Sequence, residues 1–133
     1  LPLLKLDNQH YNAIANADLN LVASGTATLE SAILETPMII VYTVTFLTWA
    51  YARSLIKIPY IGLVNVVAGK KIVPEFIQFQ AKPRFIAQEA ISLLTNKEKY
   101  RQQKEELIKI RTHLGSSGAS KRAAHSVLSL LNT

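Results

Sequence analysis

The sequence predicts an α/β fold built on a parallel sheet flanked by helices, and three observations predict it. Short β-prone runs alternate with helical ones from Leu1 to Tyr42, the pattern of chains that build parallel sheets. One of these runs, Met38-Ile39-Ile40-Val41-Tyr42, has no polar alternation, as expected of a strand covered on both faces. Another, Leu19 to Ala23, ends in Ser24-Gly25-Thr26 and opens directly into a helical stretch.

Taken in order, Leu1 to Leu6 reads as a short apolar strand. Asn8 to Ala17 reads as a helix carrying Tyr11, Ile14 and Ala15 at helical spacing. The strand Leu19 to Ala23 follows, then a helix from Ala27 to Leu34 that Pro37 terminates, then the strand Met38 to Tyr42. A helix is expected over Phe46 to Ile56, a strand at Tyr60-Ile61-Gly62-Leu63, and a loop from there through Gly69. Three helices finish the chain. Pro83 sits in the first turn of one whose stripe is Ile86, Ala90, Leu93 and Leu94. Glu98 to Leu114 aligns Leu107, Ile110 and Leu114, and Gly115-Ser116-Ser117-Gly118 breaks it. The last places Ala124, Val127, Leu128 and Leu131 on one side. The expected division is a core at 1–82 and C-terminal helices at 83–133, a single domain overall, with those helices packed on the core or exchanged with a second copy in a dimer.

Composition bounds the function. A chain of 133 residues that is 49% apolar and 18% charged can bury a core and is not a disordered segment. The absence of cysteine removes disulfides, thiol nucleophiles and Cys-ligated metals from consideration. No basic segment followed by an apolar one opens the chain, and a start at Leu1-Pro2-Leu3-Leu4 without Met suggests a processed or truncated piece.

The formal net charge is +6, and from Thr36 to Pro74 there is no acidic residue beside Arg53, Lys57, Lys70 and Lys71. That field favours an anionic partner, a phosphate or an acidic lipid surface. Nucleic acid is not expected, because the cations are scattered singly and no recognition motif accompanies them. Seventeen uncharged residues between Glu35 and Arg53 touch the lower limit for a membrane span, but Pro37 and Thr43, Thr45 and Thr48 argue for strand, turn and helix. Phe46, Leu47, Trp49, Tyr51 and Leu55 beside Arg53 and Lys57 suit either a core or contact with a lipid surface.

The chemistry concentrates at Ser24-Gly25-Thr26-Ala27-Thr28-Leu29-Glu30. A strand that ends in a glycine turn and opens into a helix aims unpaired N–H groups at one spot, where a diphosphate fits. Gly25 permits close backbone approach, and the hydroxyls of Ser24, Thr26 and Thr28 can add hydrogen bonds. Neither a Walker A loop nor GxGxxG is present. The bland alternative is a helix cap at Ser24 or Thr26. Three residues beyond those stand Ala27 and Leu29, so no capping box explains Glu30, which lies one turn in and can reach a ribose diol.

These residues, followed by Thr36-Pro37-Met38-Ile39-Ile40-Val41-Tyr42, resemble the carboxy-terminal half of the lipid-A-disaccharide synthase family. Leu55 to Gly69 is similar to that family's LVKVPYISLPNLLAG, Lys70 to Gln78 to its REVVPELLQ, and Leu114-Gly115 through Gly118-Ala119-Ser120 to its closing LG..GAS. The likeness runs in order from about Asn16 onward. It implies the Rossmann-like, donor-binding half of a metal-independent, inverting GT-B glycosyltransferase. Ser24, Gly25, Thr26 and Thr28 would cradle the UDP pyrophosphate and Glu30 would hold the ribose. Asn65, Glu75 and Gln78 match polar positions around donor sugar and nucleotide, and Lys70 stands where an arginine is usual. Val64 replaces a usual proline, and Thr43 a common basic residue.

The resemblance further implies that the 6-hydroxyl of lipid X attacks UDP-2,3-diacylglucosamine to give the β(1→6) lipid A disaccharide, with Lys70 and N–H dipoles taking charge on the departing UDP. The general base is expected in an amino-terminal half outside this chain. The location implied is the bacterial cytoplasm, peripheral on the inner face of the membrane. UDP-sugar is a substrate here and no cofactor is expected. A metal is not expected either, since His10, His113 and His125 do not cluster with carboxylates, and Glu98, Glu105 and Glu106 read as a solvated face. Read singly, Asn65 is also a loop turn, Glu75 a first-turn helix acid and Gln78 an exposed helix residue. The alternatives are a stand-alone nucleotide-sugar-binding module without catalysis, or another UDP-sugar enzyme of the same fold.

Overall fold

The computed structural model describes residues 2–45, Thr48 and residues 59–131. Along the chain come α1 (His10–Asn16), β1 (Asn20–Ala23), α2 (Ala27–Ile33), β2 (Met38–Tyr42), α3 (Leu63–Ala68) and β3 (Glu75–Ile77). A 3-10 turn at Gln78–Gln80 leads to α4 (Pro83–Thr95), α5 (Lys97–Leu114) and α6 (Ala119–Leu131). Among the described residues the three strands form one parallel sheet in the order β1-β2-β3, so the fold is the α/β arrangement the sequence predicts.

The central strand holds the sheet. Met38, Ile39 and Ile40 are all fully buried, as a strand without polar alternation should be when both faces are covered. On one face Met38 and Ile40 join Ala32 of α2, Val64 of α3, Val73, and Leu107 and Ile110 of α5 in a single core. Burying each of the larger side chains stabilises the fold by roughly 2 kcal/mol. Helix α2 ends where Glu35 takes a left-handed φ of 59° before Thr36-Pro37. Thr36 then donates its hydroxyl to the carbonyl of Ile14, 2.9 Å away, which fastens the end of α1.

Helix α5 is seated by more than its stripe. Gln103 is buried, and its Oε1 accepts the backbone N–H of Met38 at 2.9 Å, closing the start of β2. Gln103, Leu107 and Ile110 stand at i, i+4 and i+7, so a polar residue occupies the apolar face because a strand end needs an acceptor there. Asn96 caps the helix by accepting from Lys99 N–H at 3.0 Å.

Several expectations are corrected. Residues 2–6 form no strand, and Leu3 is 98% exposed: among the described residues nothing pairs with that backbone, and a strand without a ladder gains little. Tyr60 to Leu63 is not a strand either. Gly62 is the extended N-cap of α3, and the segment expected to be loop is that helix. The strand β3 was not expected, and Glu75 opens it, buried, where a first-turn helix acid was one reading. Leu94 and Leu114, placed on apolar stripes, are 51% and 39% exposed. The expected helix at Phe46 to Ile56, with Arg53, lies outside the described residues apart from Thr48, as does Lys57. Among the described residues no helix is long and apolar enough to cross a membrane.

Replacing Gln103 with Leu should cost roughly 1–3 kcal/mol of stability, because the buried Met38 N–H loses its acceptor. Urea denaturation measures this, and an unchanged midpoint would mean that the bond does not hold α5 to the sheet.

Candidate functional site

The parallel register places Val22, Ile40 and Glu75 on one level across the sheet. Above that level lies the rim formed by the C-terminal ends of the strands, where open α/β sheets bind ligands. Ser24, Gly25 and Thr26 follow β1 there, and Gln78 follows β3.

The turn after β1 is tightly made. Gly25 has a φ of +152°, and a Cβ built on it would meet nothing within 4 Å. Conformation calls for glycine there, and the space in front of the backbone is open. Thr28 is fully buried, and its hydroxyl donates to the Gly25 carbonyl at 2.8 Å, with Thr28 N–H on the same oxygen at 3.2 Å. Ser24 Oγ donates to the Ile61 carbonyl at 3.0 Å. A hydroxyl has one proton, so two of the three hydroxyls expected to donate to phosphate are engaged with backbone carbonyls. Thr26, exposed, is the N-cap of α2 without a side-chain capping bond. Among the described residues no backbone carbonyl takes the N–H groups of Gly25 or Thr26. Glu30 sits half-buried in the first turn of α2.

Asn65 and Glu75 come together beneath this rim. Asn65 is fully buried: its Oδ1 accepts from the N–H groups of Ile72 and Val73 at 2.8 and 3.0 Å. Its Nδ2 donates to the Val73 carbonyl at 2.9 Å and to Glu75 Oε1 at 2.8 Å. Glu75 also accepts Gly62 N–H on Oε1 at 3.0 Å and Ile61 N–H on Oε2 at 3.1 Å. The Ile61 and Gly62 donors therefore go to a carboxylate instead of a neighbouring strand, which is why that segment is a helix entry. Gly62 is dictated by closeness, since a Cβ there would overlap Ile40 Cδ1.

Gln78 has its own task. With a φ of +51° it turns its amide onto Val44, accepting Val44 N–H at 3.0 Å and donating to Val44 O at 2.9 Å. The side chain thus continues the β2–β3 pairing past the strand ends. Val64, where proline was usual in the resemblance, is fully buried in the core.

Lys70 does not join the turn. It precedes β3, whereas Ser24 follows β1, so in a parallel sheet the two lie toward opposite rims. Its ammonium is 2.7 Å from Glu106 of α5. Hydrogen bonds from Lys109 and then Lys70 hold the Glu106 carboxyl below its ordinary range. That stabilisation is present at neutral pH and is lost as acid carries the pH down through the lowered value. Glu106 is therefore not merely part of a solvated face. Glu98 and Glu105 are, both bridged by Arg101. An open groove of about 760 Å³ between residues 70–76 and the α4–α5 pair lies beside this ion pair and away from the turn.

Sequence reasoning missed Gln103, Ile61 and Val44, the last two because they act through backbone groups. For Gln103 the signal was available as a polar residue in register with Leu107 and Ile110.

Residues 1–129 match the family model described as lipid-A-disaccharide synthetase. The chain is 43% identical over 129 residues to the lipid-A-disaccharide synthase of Sulfurihydrogenibium sp. (strain YO3AOP1), covering 97% of this chain and 33% of that protein. It is 46% identical over 121 residues to that of Syntrophus aciditrophicus (strain SB), covering 91% and 32%. For the Solibacter usitatus (strain Ellin6076) protein of the same name, identity is 37% over 131 residues, covering 98% and 34%. The chain thus spans about a third of the length of the curated relatives it matches.

Asn65→Ala should lower stability by roughly 2–4 kcal/mol, since it strands buried donors and acceptors together. Lys70→Ala, at an exposed ion pair, should cost under about 1 kcal/mol. Urea denaturation of the two variants side by side reads the contrast, and equal losses would contradict the division between internal brace and surface residue.

Proposed function

Because the chain belongs to the lipid-A-disaccharide synthetase family, we propose that it holds the UDP moiety of the sugar donor at the turn between β1 and α2. The observation that carries this reading is Gly25: a left-handed glycine on the C-terminal rim of a parallel sheet, with open space in front of it. A diphosphate approaching there meets the N–H groups of Gly25 and Thr26 and the Thr26 hydroxyl. It also meets the positive end of a helix that carries Glu30 in its first turn, and in this reading Glu30 accepts from the ribose hydroxyls.

In this reading the reaction is transfer of 2,3-diacylglucosamine from UDP to the 6-hydroxyl of lipid X, with inversion to the β(1→6) disaccharide. Negative charge grows on the departing diphosphate as the glycosidic bond breaks. Preorganised N–H dipoles stabilise that charge more in the transition state than in the bound donor, and so lower the barrier without a metal ion. Lys70, engaged with Glu106 toward the other rim, is left out of that role. Acceptor binding and the general base fall to the remaining two thirds of the relatives' length. Acylated substrates place the reaction at a membrane surface, on the cytoplasmic face in this reading, with the protein peripheral to it.

Calorimetric titration of UDP into the full-length protein tests the proposal. Saturable binding is expected, weakened on the order of tenfold by Glu30→Ala. Gly25→Val, which strains the turn and fills the open space, should abolish it. No binding at millimolar UDP, or binding indifferent to both changes, would contradict the reading.

A further inference from the structure

The family resemblance puts Glu75 and Ser24 against the nucleotide-sugar, yet both side chains are engaged with the same short segment of backbone. Glu75 accepts the N–H groups of Ile61 and Gly62 at 3.1 and 3.0 Å, and Ser24 donates to the carbonyl of that same Ile61 at 3.0 Å. Ile61 is therefore a bridge. Its amide is tied to the start of β3, and its carbonyl is tied to the turn that follows β1.

We propose that Glu75 is a positioning residue for the nucleotide turn, acting through Ile61 on Ser24 and making no contact with the donor itself. The inference rests on the reading of that turn as the UDP site, and it assigns the turn's order to a group on a different strand.

The geometry carries it in three steps. First, Glu75 is only 8% exposed, and its two oxygens already accept three N–H donors, those of Ile61, Gly62 and the Asn65 amide. A carboxylate so placed has little capacity left for a sugar hydroxyl, and moving it would leave those donors without acceptors in a buried site. Secondly, Asn65 cannot substitute for it. Both ends of its amide are engaged with residues 72–75, so it braces Glu75 from behind. Thirdly, the Ser24 proton is engaged with Ile61, so this hydroxyl anchors the turn and is not free to donate to a phosphate. Thr28 anchors its other side through the Gly25 carbonyl. Between two anchors the N–H groups of Gly25 and Thr26 are held ready, and binding does not have to order them.

The chemistry predicts that Gln is a poor replacement at position 75. Each Glu75 oxygen faces an N–H donor, so one of them would confront the amide NH2 of Gln, and Ile61 would shift. The effect should reach UDP only through Ser24, and a double-mutant cycle isolates that route.

The experiment measures UDP affinity of the full-length protein and of its Glu75→Gln, Ser24→Ala and doubly substituted forms, with Tm recorded for each. Each single change should weaken UDP binding about tenfold, and the double change should be less than about twofold worse than Ser24→Ala alone, the signature of one shared path. If Glu75→Gln does not fold, Glu75→Asp takes its place in the cycle, since it keeps the carboxylate and shortens its reach to Ile61. Losses that multiply in the double variant would overturn the proposal. So would a folded Glu75 variant with lowered Tm and unchanged UDP affinity, which is the behaviour of a merely structural residue. Wild-type protein that binds no UDP overturns the nucleotide reading and this inference together. Binding that Gly25→Val abolishes and Glu75→Gln leaves alone overturns this inference only.

Discussion

The structure depends on one buried carboxylate. Glu75 stands at the first position of β3 without an ion pair among the described residues, and its carboxylate accepts N–H groups from Ile61, Gly62 and Asn65. Burying such a group without partners is strongly unfavourable, so its presence dictates what surrounds it. The chain must bring two consecutive backbone amides to it, and they are the entry to α3. Gly62 must lack a side chain because Ile40 of the central strand lies against it. Asn65 must then fall one turn into α3, where it can brace the carboxylate and collect the backbone of 72–73. Four features that look independent in the sequence, Gly62, Asn65, the short helix and the edge strand, are one arrangement.

That arrangement explains how the two rims of the sheet differ. Toward the N-terminal rim, polar residues fasten elements to one another, with Gln103 closing β2 and Lys70 pairing with Glu106. At the C-terminal rim, side chains are engaged with backbone, and the N–H groups of Gly25 and Thr26 have no backbone acceptor among the described residues. Gln78 takes both backbone groups of Val44, Thr28 takes the Gly25 carbonyl, and Ser24 takes that of Ile61. The polar residues of this motif set shape a surface more than they present their own chemistry to it.

Sheet class, central strand and the β1–α2 turn were legible in the sequence because each depends on local pattern: a β-prone run, a proline stop, a glycine before a helix. The boundaries of β1, α2 and β2 follow that pattern to within a residue. What failed was what depends on distant partners. Tyr60-Ile61-Gly62-Leu63 has the composition of a strand, but its amides are claimed by a carboxylate more than ten residues along the chain. Leu1 to Leu6 has strand composition too, but what is described of it has no ladder to join. Among site residues, Gly25 lies in the turn after β1 and Glu30 in the first turn of α2, the local placement that the pattern suggested. Asn65, Glu75 and Gln78 could be identified as important, but a one-letter pattern does not distinguish a side chain that touches a ligand from one that holds the backbone. Lys70 was singled out because it stands where an arginine is usual in the resemblance, and such a match does not say which end of a strand a residue sits on or that its ammonium meets Glu106.

In the proposed function this fold presents backbone N–H groups to a diphosphate while its buried polar residues hold those groups in place. A crystal structure of the full-length protein with UDP bound tests it most directly. The diphosphate is expected within hydrogen-bonding distance of the Gly25 and Thr26 N–H groups, the ribose against Glu30, and Glu75 still accepting from Ile61 and Gly62. A nucleotide bound elsewhere, or a Glu75 carboxylate turned from Ile61 onto the ligand, would contradict it.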